Sequence, residues 1–213
     1  MSANSSPRSN ESSYHHGDLR NALIVAAAEL IESSGADDFA MIDAARRAGV
    51  SSAAPYRHFK DKEELLLSVG ELGFYALDCE LNRVAAQHER GSVDAIIALG
   101  QCYLRFVSER PAFFGLMWGE HGNNMFYEAE LDYAQQENNG FFQLLGQVGA
   151  WCAKEDVTRT SPLEIAMTLW SIGMGLCHLT FNRQMGRFAP EVDPYQLLEN
   201  SGRRYLRGIV EEK

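Results

Sequence analysis

The sequence predicts an all-α protein, and three observations support this fold class. Apolar residues recur every three to four positions along most of the 213 residues. No stretch of useful length alternates between apolar and polar residues, as a half-buried strand would. Turn signals built from Gly, Pro and Ser separate the periodic stretches. We therefore expect a Ser- and Asn-rich disordered tail at 1–13, a three-helix head at 14–60 and a larger helical-bundle body at 61–213.

The first two predicted helices make up most of the head. The first covers about 18–34, with Asp18 as its N-cap and Gly35 as its C-cap. The second covers about 41–48 and ends at Gly49, which tolerates a positive φ. The residues of the second helix that are predicted to face inward are Ile42 and Ala45.

A short third helix and a long fourth helix follow. The third is predicted to start at Ser51, whose hydroxyl serves as the N-cap, and to end near Phe59, which anchors it in the core. Asp61 and Glu64 form a capping box for the fourth helix, which reaches about His88. Further helices are predicted at about 92–108, 111–118, 124–153, 161–185 and 193–211.

The chain is acidic, with a formal net charge of -10. Residues 1–66 contain 7 Lys/Arg and 10 Asp/Glu, so the N-terminal part is not basic either. Because a general electrostatic attraction to nucleic acid is excluded, any DNA binding requires a local basic patch.

Several functional classes lack their signatures in this sequence. The four cysteines, Cys79, Cys102, Cys152 and Cys177, have no CxxC spacing and lie in apolar helical patterns, which favours buried free thiols over zinc ligands. Motifs for a nucleophile elbow, a phosphate loop, a metalloprotease or a dinucleotide site are absent, so no enzyme, cofactor or metal is predicted. Without an apolar signal segment or an apolar run of about 18 residues, we expect a soluble cytoplasmic protein.

The segment from Gly49 to Glu63 has the layout of a DNA-reading helix-turn-helix. Gly49 suits the tight turn, and the small residues at 52–54 allow a close approach to a groove. The exposed face is predicted to carry Ser52, Tyr56, Arg57, His58, Lys60 and Lys62. Tyr and Lys suit phosphate oxygens, Arg suits phosphate or guanine, and the amides that start the fourth helix suit a further phosphate. A solvated helical hairpin is the alternative interpretation of the bare pattern.

The residues of this segment resemble the DNA-binding head of the TetR/AcrR family, through Ala45–Ser51, Ala53–Phe59 and Asp61–Glu63. Tyr14–Arg20 is similar to the start of one branch of that family. The resemblance implies a homodimeric transcriptional regulator whose second and third helices enter the major groove and whose body binds a small molecule. By position it implies DNA contacts at Ser51, Ser52, Ala53, Tyr56, His58 and Lys62. Arg57 is added because of its charge and predicted exposure.

Two positions depart from the family pattern. Ala40 stands where Ser or Thr often caps the second helix and touches phosphate, and Ile42 stands where Arg is common. Either phosphate affinity is weaker, or His15, His16 and Arg20 compensate for the missing contacts.

Aromatic and Met side chains in the body either pack its core or line a lipophilic effector pocket. The candidate pocket residues are Tyr103, Phe114, Trp118, Phe141, Trp151, Trp170, Met174 and His178. Pro111–Trp118 and Trp170–Leu176 are similar to the corresponding segments of a TetR branch named for a Trp-His-Gly motif. In this chain Met174 stands where that motif has His. Against that resemblance, the missing His implies a pocket that is more apolar than the pockets of the relatives, and a small apolar or aromatic effector. His178 is either a substitute polar group or a satisfied core or interface histidine.

Glycines interrupt the helical patterns of the body at Gly149, Gly173 and Gly175. Each costs up to about 1 kcal/mol relative to Ala in a helix interior. They make room for a ligand or a neighbouring helix, or they are tolerated defects.

The resemblance places the dimer interface on the helices at 161–185 and 193–211, whose apolar stripes a monomer would have to bury internally. The predicted function is a homodimeric repressor that binds an inverted-repeat operator in double-stranded DNA and is released by a small lipophilic ligand. The alternative is a helical ligand-binding or adaptor protein with weak or no DNA binding. The acidic balance and the departures at Ala40 and Ile42 favour that alternative.

Overall fold

The computed structural model describes residues 16–36, 38–118 and 140–212, and every regular element among them is helical. The all-α prediction is confirmed. The predicted tail at 1–13 and the first part of the helix predicted at 124–153 lie outside the described residues. The chain divides into two compact units, which meet in sequence at Val69 and Gly70, whereas the sequence placed a domain boundary after residue 60.

The first unit contains α1 (His16–Ser34), α2 (Met41–Arg47), a 3₁₀ turn (Pro55–Arg57) and the start of α3 (Lys62–Ala85). Its buried apolar side chains include Leu23, Ala27, Ile31, Phe39, Ala44, Phe59, Leu65 and Val69. They recur at helical spacing in α1 and α3, so both helices bury one face in a shared core.

The predicted caps of α1 and α3 agree with the structure at two of three ends. Gly35 adopts φ +87° and its amide donates to the carbonyl of Ile31 at 2.8 Å, as a left-handed C-cap does. Asp61 Oδ1 accepts from the amide of Glu64 at 3.0 Å at the start of α3. Asp18 is not the N-cap of α1, because the helix already begins at His16 and includes Asp18 in its first turn.

Ile42 does not face inward. Its side chain is 46% exposed, and Met41, Ala44 and Ala45 form the buried face of α2. The helix is only 7 residues long, so a rotation by one residue decides which side chain is buried. The sequence correctly predicted Ala45 and missed Met41.

The predicted third helix is only the 3₁₀ turn at Pro55–Arg57, and its N-cap is Ala54 without a side-chain bond. The Ser51 hydroxyl therefore does not cap a helix as predicted. Proline explains the difference: an α-helix capped at Ser51 would require an amide proton at Pro55, which proline lacks. The carbonyl of Ser51 instead accepts from the amide of Ala54 at 2.9 Å.

Among its described residues, the second unit contains the rest of α3 and six further helices, which are α4 (Val93–Glu109), α5 (Pro111–Trp118), α6 (Gly140–Glu155), α7 (Pro162–Phe181), α8 (Gln184–Phe188) and α9 (Pro194–Glu211). α4 packs against α7 and α9, and α6 packs against α7. One buried cluster of this core comprises Ile96, Leu144, Val148, Trp151, Cys152, Ile165, Ala166 and Leu206. Ser92, Ser161 and Asp193 cap α4, α7 and α9 through side-chain bonds to helix amides.

The helix predicted at 161–185 is broken. α7 ends at Phe181, and Arg183 adopts φ +56° before the short α8 begins. A left-handed φ cannot continue a right-handed helix, so α7 ends before this residue. In a residue other than glycine this conformation costs roughly 1–2 kcal/mol. No Gly or Pro marks the break, so turn chemistry did not reveal it.

The cysteine prediction holds at three of four positions. Cys102, Cys152 and Cys177 are buried free thiols, whereas Cys79 is exposed. Cys79 lies on the outer face of α3, between the buried Leu77 and Leu81.

Candidate DNA-binding surface and effector pocket

A tight turn follows α2 and sets the direction of the candidate DNA-binding segment. The amide of Val50 donates to the carbonyl of Ala45 at 2.9 Å, and the amide of Gly49 donates to that of Arg46 at 3.2 Å. Gly49 has φ +71°, so this is a Schellman-type helix end with glycine in the left-handed position. The turn releases the chain from α2 within two residues, as a helix-turn-helix requires.

All eight predicted DNA contacts lie at the surface of the first unit. Ser51, Ser52, Ala53, Tyr56, Arg57 and Lys60 are exposed, and His58 and Lys62 are partly exposed. Tyr56 is 58% exposed, whereas Pro55 and Phe59 on either side of the turn are buried. The segment is thus anchored by two apolar side chains and presents its polar ones outward.

The cations of this unit differ in their availability. Arg46 pairs with Asp43 at 2.8 Å, and Arg47 pairs with Glu29. In the described part of the unit, Arg57 and Lys60 make no ion pair. Local positive charge is therefore concentrated on the exposed segment although the unit as a whole is not basic.

The start of α3 is less open to phosphate than the sequence predicted. The Asp61 carboxylate accepts from the amide of Glu64, and Glu64 Oε2 accepts from the amide of Lys60 at 2.7 Å. The Lys62 ammonium lies 5.7 Å from the centroid of the Phe39 ring. Because a carboxylate occupies the amide of Glu64, a phosphate at that amide would have to displace it.

Arg20 does not supply the compensation considered for Ala40 and Ile42. Ala40 forms the N-cap of α2 without a side-chain bond. The Arg20 guanidinium donates to Ser68 Oγ at 3.0 Å and lies 5.1 Å from the centroid of the Phe59 ring, so it serves the interior of the unit. The side chains of His15 and His16 lie outside the described residues.

The second unit contains an apolar cavity of about 50 Å³ between α4, α6, α7 and α9. Its lining residues are Leu81, Ile96, Ile97, Leu99, Gly100, Tyr103, Gly140, Leu144, Leu169, Trp170, Ile172, Gly173, Met174, Leu198 and Gly202. Three of the predicted pocket residues, Tyr103, Trp170 and Met174, lie on its wall. Gly173, considered from sequence as a residue that makes room, lines it as well.

The other predicted pocket residues lie elsewhere. The rings of Trp118 and Phe141 meet the ring of Trp170 edge-on, with centroid distances of 6.4 Å and 5.7 Å, so they pack against a residue of the wall. Trp151 is buried in the core cluster. Phe114 contacts the exposed His178, with ring centroids 5.1 Å apart, away from the cavity.

Sequence reasoning missed the aliphatic and glycine part of the wall. The missed residues are Leu81, Ile96, Ile97, Leu99, Gly100, Gly140, Leu144, Leu169, Ile172, Leu198 and Gly202. Aliphatic periodicity is the same for a filled core and for a cavity wall, so it gave no signal. The glycine positions did give a signal. A Cβ at Gly100 would approach Leu198 Cδ2 to 3.0 Å, so α4 and α9 pack closely at this glycine.

Tyr103, which lines the cavity, interacts electrostatically with two further titratable groups, Cys177 and Asp78. Burial raises the pKa of Tyr103 well above its ordinary value; Cys177 and Asp78 add to this rise, and the Trp118 indole opposes it. Burial raises the pKa of Cys177 to about 12, so this thiol stays protonated. Burial also raises the pKa of Asp78 to about 6, although a hydrogen bond from the amide of Gly140 opposes the shift.

The raised pKa of Asp78 predicts a fall of stability with pH. The native state holds this proton more tightly than the unfolded chain, in which the pKa is near 3.8. Its stabilising contribution is therefore complete below that value and is lost as the pH rises through about 6. We expect Asp78→Asn to lose less stability than the wild type between about pH 4 and 7. Urea unfolding across this range measures it, and parallel profiles for the two proteins would contradict the assignment.

Comparison with known proteins agrees with both units. The family model for bacterial regulatory proteins of the tetR family matches residues 23–69, and the model for a tetracyclin repressor-like C-terminal domain matches residues 96–201. Nucleoid occlusion factor SlmA of Aliivibrio fischeri is 27% identical over 161 residues, which cover 62% of this chain and 82% of that protein.

Solved structures give the same result. A protein of unknown function from Rhodococcus sp. RHA1 is 26% identical with a TM-score of 0.74, and the match covers 93% of this chain and 98% of that one. A TetR/AcrR transcriptional regulator from Thermobifida fusca is 20% identical with a TM-score of 0.62, covering 90% and 98%. A helix-turn-helix unit followed by a larger helical body defines a class of DNA-binding regulator. The chain belongs to the TetR family of these regulators, as the sequence predicted.

Proposed function

We propose that this chain is a homodimeric cytoplasmic repressor that binds an inverted repeat in double-stranded DNA and is released by a small apolar effector. The exposed segment from Ser51 to Lys60 carries the proposal, because it follows a glycine turn and concentrates the cations that lack ion pairs in the described part of the first unit. The other steps concern the DNA contacts, the dimer and the release.

The DNA contacts follow from side-chain chemistry along the exposed segment. Ser52 and Ala53 are small enough for the backbone to approach a groove. The Tyr56 hydroxyl suits a phosphate oxygen, and the Arg57 guanidinium suits a phosphate or the O6 and N7 atoms of guanine. Since Asp61 and Glu64 occupy the amides near the start of α3, Arg57 and Lys60 supply most of the charge for phosphate binding.

The salt dependence of binding tests the assignment of Arg57. Replacement with Gln is expected to reduce the slope of log K against log salt by about one if Arg57 neutralises a phosphate. Arg47→Gln is the matched control, because Arg47 is already paired with Glu29. Fluorescence anisotropy at several salt concentrations measures both slopes. Equal slopes for the Arg57 variant and the wild type would remove Arg57 from the phosphate contacts.

An uncovered apolar face supports the dimer. α7 is long and apolar enough to cross a membrane by length and composition alone, yet only 22% of its apolar stretch is buried in the single chain. Leu163 and Met167 are 54% and 46% exposed on α7, and Leu197 is 38% exposed on α9. A second copy would cover this face with the same face of its own helices, as a two-fold interface does.

Effector release follows from the helices that the cavity and the proposed interface share. Trp170 and Met174 of α7 and Leu198 of α9 line the cavity. A ligand that needs more than about 50 Å³ has to displace the side chains that α7 and α9 contribute to the wall, and this favours a shift of the two helices. Displacement of α7 and α9 would alter the dimer and favour a state with lower affinity for the operator.

An anisotropy titration against the intergenic DNA that flanks the gene tests the proposed function. We expect tight binding to one inverted repeat and weaker binding to a shuffled sequence of equal length. Equal, weak binding to both at moderate salt would contradict the proposal and favour the alternative of an adaptor without specific DNA binding.

A second candidate is favoured by the SlmA relatives, whose name describes nucleoid occlusion. In that case the same DNA-binding segment would serve chromosome organisation. Mapping of the bound sites along the chromosome separates the two: a few promoter sites indicate a repressor, and many dispersed sites indicate an occlusion factor.

A further inference from the structure

We propose that the effector is an uncharged single-ring compound with a hydroxyl group, that Tyr103 binds this hydroxyl, and that Gly173 limits the size of the ring. The proposal rests on the effector pocket of the proposed function, but it does not require DNA binding. Three observations carry it: the state of the Tyr103 hydroxyl, the charge of the wall, and the space next to Gly173.

Tyr103 brings a polar atom to a cavity that is otherwise apolar. The residue is only 7% exposed. The Trp118 indole acts on its hydroxyl as a hydrogen-bond donor without reaching ordinary geometry, and the hydroxyl proton has no acceptor within such geometry among the described residues. The Trp170 ring meets the Tyr103 ring edge-on, with centroids 5.3 Å apart, so the side chain cannot easily turn away. Because a buried hydroxyl whose proton has no acceptor is unfavourable, a ligand atom that accepts and donates a hydrogen bond gains affinity there.

The charge of the wall selects against ionised ligands. No Lys, Arg or His lies among the lining residues in the described part of the chain. The Asp78 carboxyl acts electrostatically on Tyr103, which lines the cavity. An anionic ligand would be buried without a cation and close to a carboxylate, both of which are unfavourable. A neutral hydroxyl meets neither obstacle.

The size of the cavity points to a single ring. Its volume of about 50 Å³ is less than the roughly 150 Å³ of an apolar cavity that binds benzene. The wall must therefore yield, and the flexible side chains of Met174 and Leu198 can do so. Among the described residues, a Cβ at Gly173 would meet no atom within 4 Å, so this position keeps open the space that a ring requires.

Three matched probes test the hydroxyl: toluene, p-cresol and 4-methylbenzoate, which differ at one ring position. Isothermal titration and thermal shift of the purified full chain, without DNA, give their affinities. We expect p-cresol to bind about tenfold more tightly than toluene, and 4-methylbenzoate to bind more weakly than both. Tyr103→Phe should bind toluene and p-cresol equally. The proposal is overturned if p-cresol does not bind, if the wild type treats both alike, or if the variant keeps the difference.

Two glycine variants test the size limit. Gly173→Ala and Gly146→Ala should each raise Tm by about 2–4 °C, because both replace glycine within a helix where the new Cβ meets no atom of the described residues within 4 Å. Only Gly173→Ala should weaken p-cresol binding, by about tenfold or more, because Gly146 lies on the exposed face of α6. Equal p-cresol affinity in the two variants would overturn the role of Gly173. A lack of operator binding would contradict only the proposed function, since these measurements contain no DNA.

Discussion

Phe59→Ala is expected to lower the free energy of unfolding of the first unit by about 3–5 kcal/mol and to abolish DNA binding. The Phe59 side chain is 1% exposed and is among the largest fully buried side chains of the described residues. Its removal leaves a cavity and deprives the Arg20 guanidinium of the ring that it covers at 5.1 Å. Typical domains have only about 5–15 kcal/mol of stability in total, so a small unit cannot absorb this loss.

Tyr56→Ala is the matched control for Phe59. Tyr56 lies three residues earlier and is 58% exposed, so its removal should change stability by no more than about 0.5 kcal/mol. Both variants are expected to lose DNA affinity, but for different reasons. Hydrogen exchange of the α1 and α2 amides should be fast in the Phe59 variant and unchanged in the Tyr56 variant. Protected amides in Phe59→Ala would show that Phe59 does not hold the unit together.

Local turn chemistry explains why most of the first unit could be predicted from sequence. Gly49 is required by a positive φ, Asp61 caps α3 through one hydrogen bond, and Phe59 is buried next to the turn. Each of these needs only neighbouring residues, which a sequence displays directly. The short 3₁₀ turn follows from the missing amide proton of Pro55, which the sequence also displays.

The features that the sequence did not reveal depend on packing over longer distances. The break after α7 occurs at Arg183, a residue type without turn preference, so only its φ of +56° shows it. Trp151 and Trp170 look alike in sequence, yet one fills the core cluster and the other lines the cavity. Which aromatic side chain borders empty space depends on the volumes of its neighbours across several helices, and periodicity carries no information on this.

The dimer face on α7 has a pattern that a second copy would fit closely. Every fourth residue from Leu163 to Leu179 is exposed, and the third and fourth of these five are Ser171 and Gly175. The Ser171 hydroxyl donates to the carbonyl of Met167 at 2.7 Å, so its polar group is already satisfied within the helix. Large apolar side chains near the ends of the stripe and small ones near its centre allow two helix backbones to approach closely where they cross.

Met167→Asp is therefore expected to convert the protein to a monomer and to weaken operator binding by about 100-fold or more. Met167 is 46% exposed in the single chain, so the substitution leaves the core of one copy intact but buries a charge in the interface. A monomer contacts one half-site and loses the effective concentration that links two binding units, which is worth about 10²–10⁴-fold.

Tyr75→Asp is the matched control, because Tyr75 is 68% exposed on α3, outside the two interface helices. Sedimentation equilibrium and operator anisotropy measure both variants, with circular dichroism to verify the helical fold. A folded Met167 variant that remains dimeric would place the interface elsewhere, whereas a dimeric variant with weak operator binding would separate dimerisation from DNA binding.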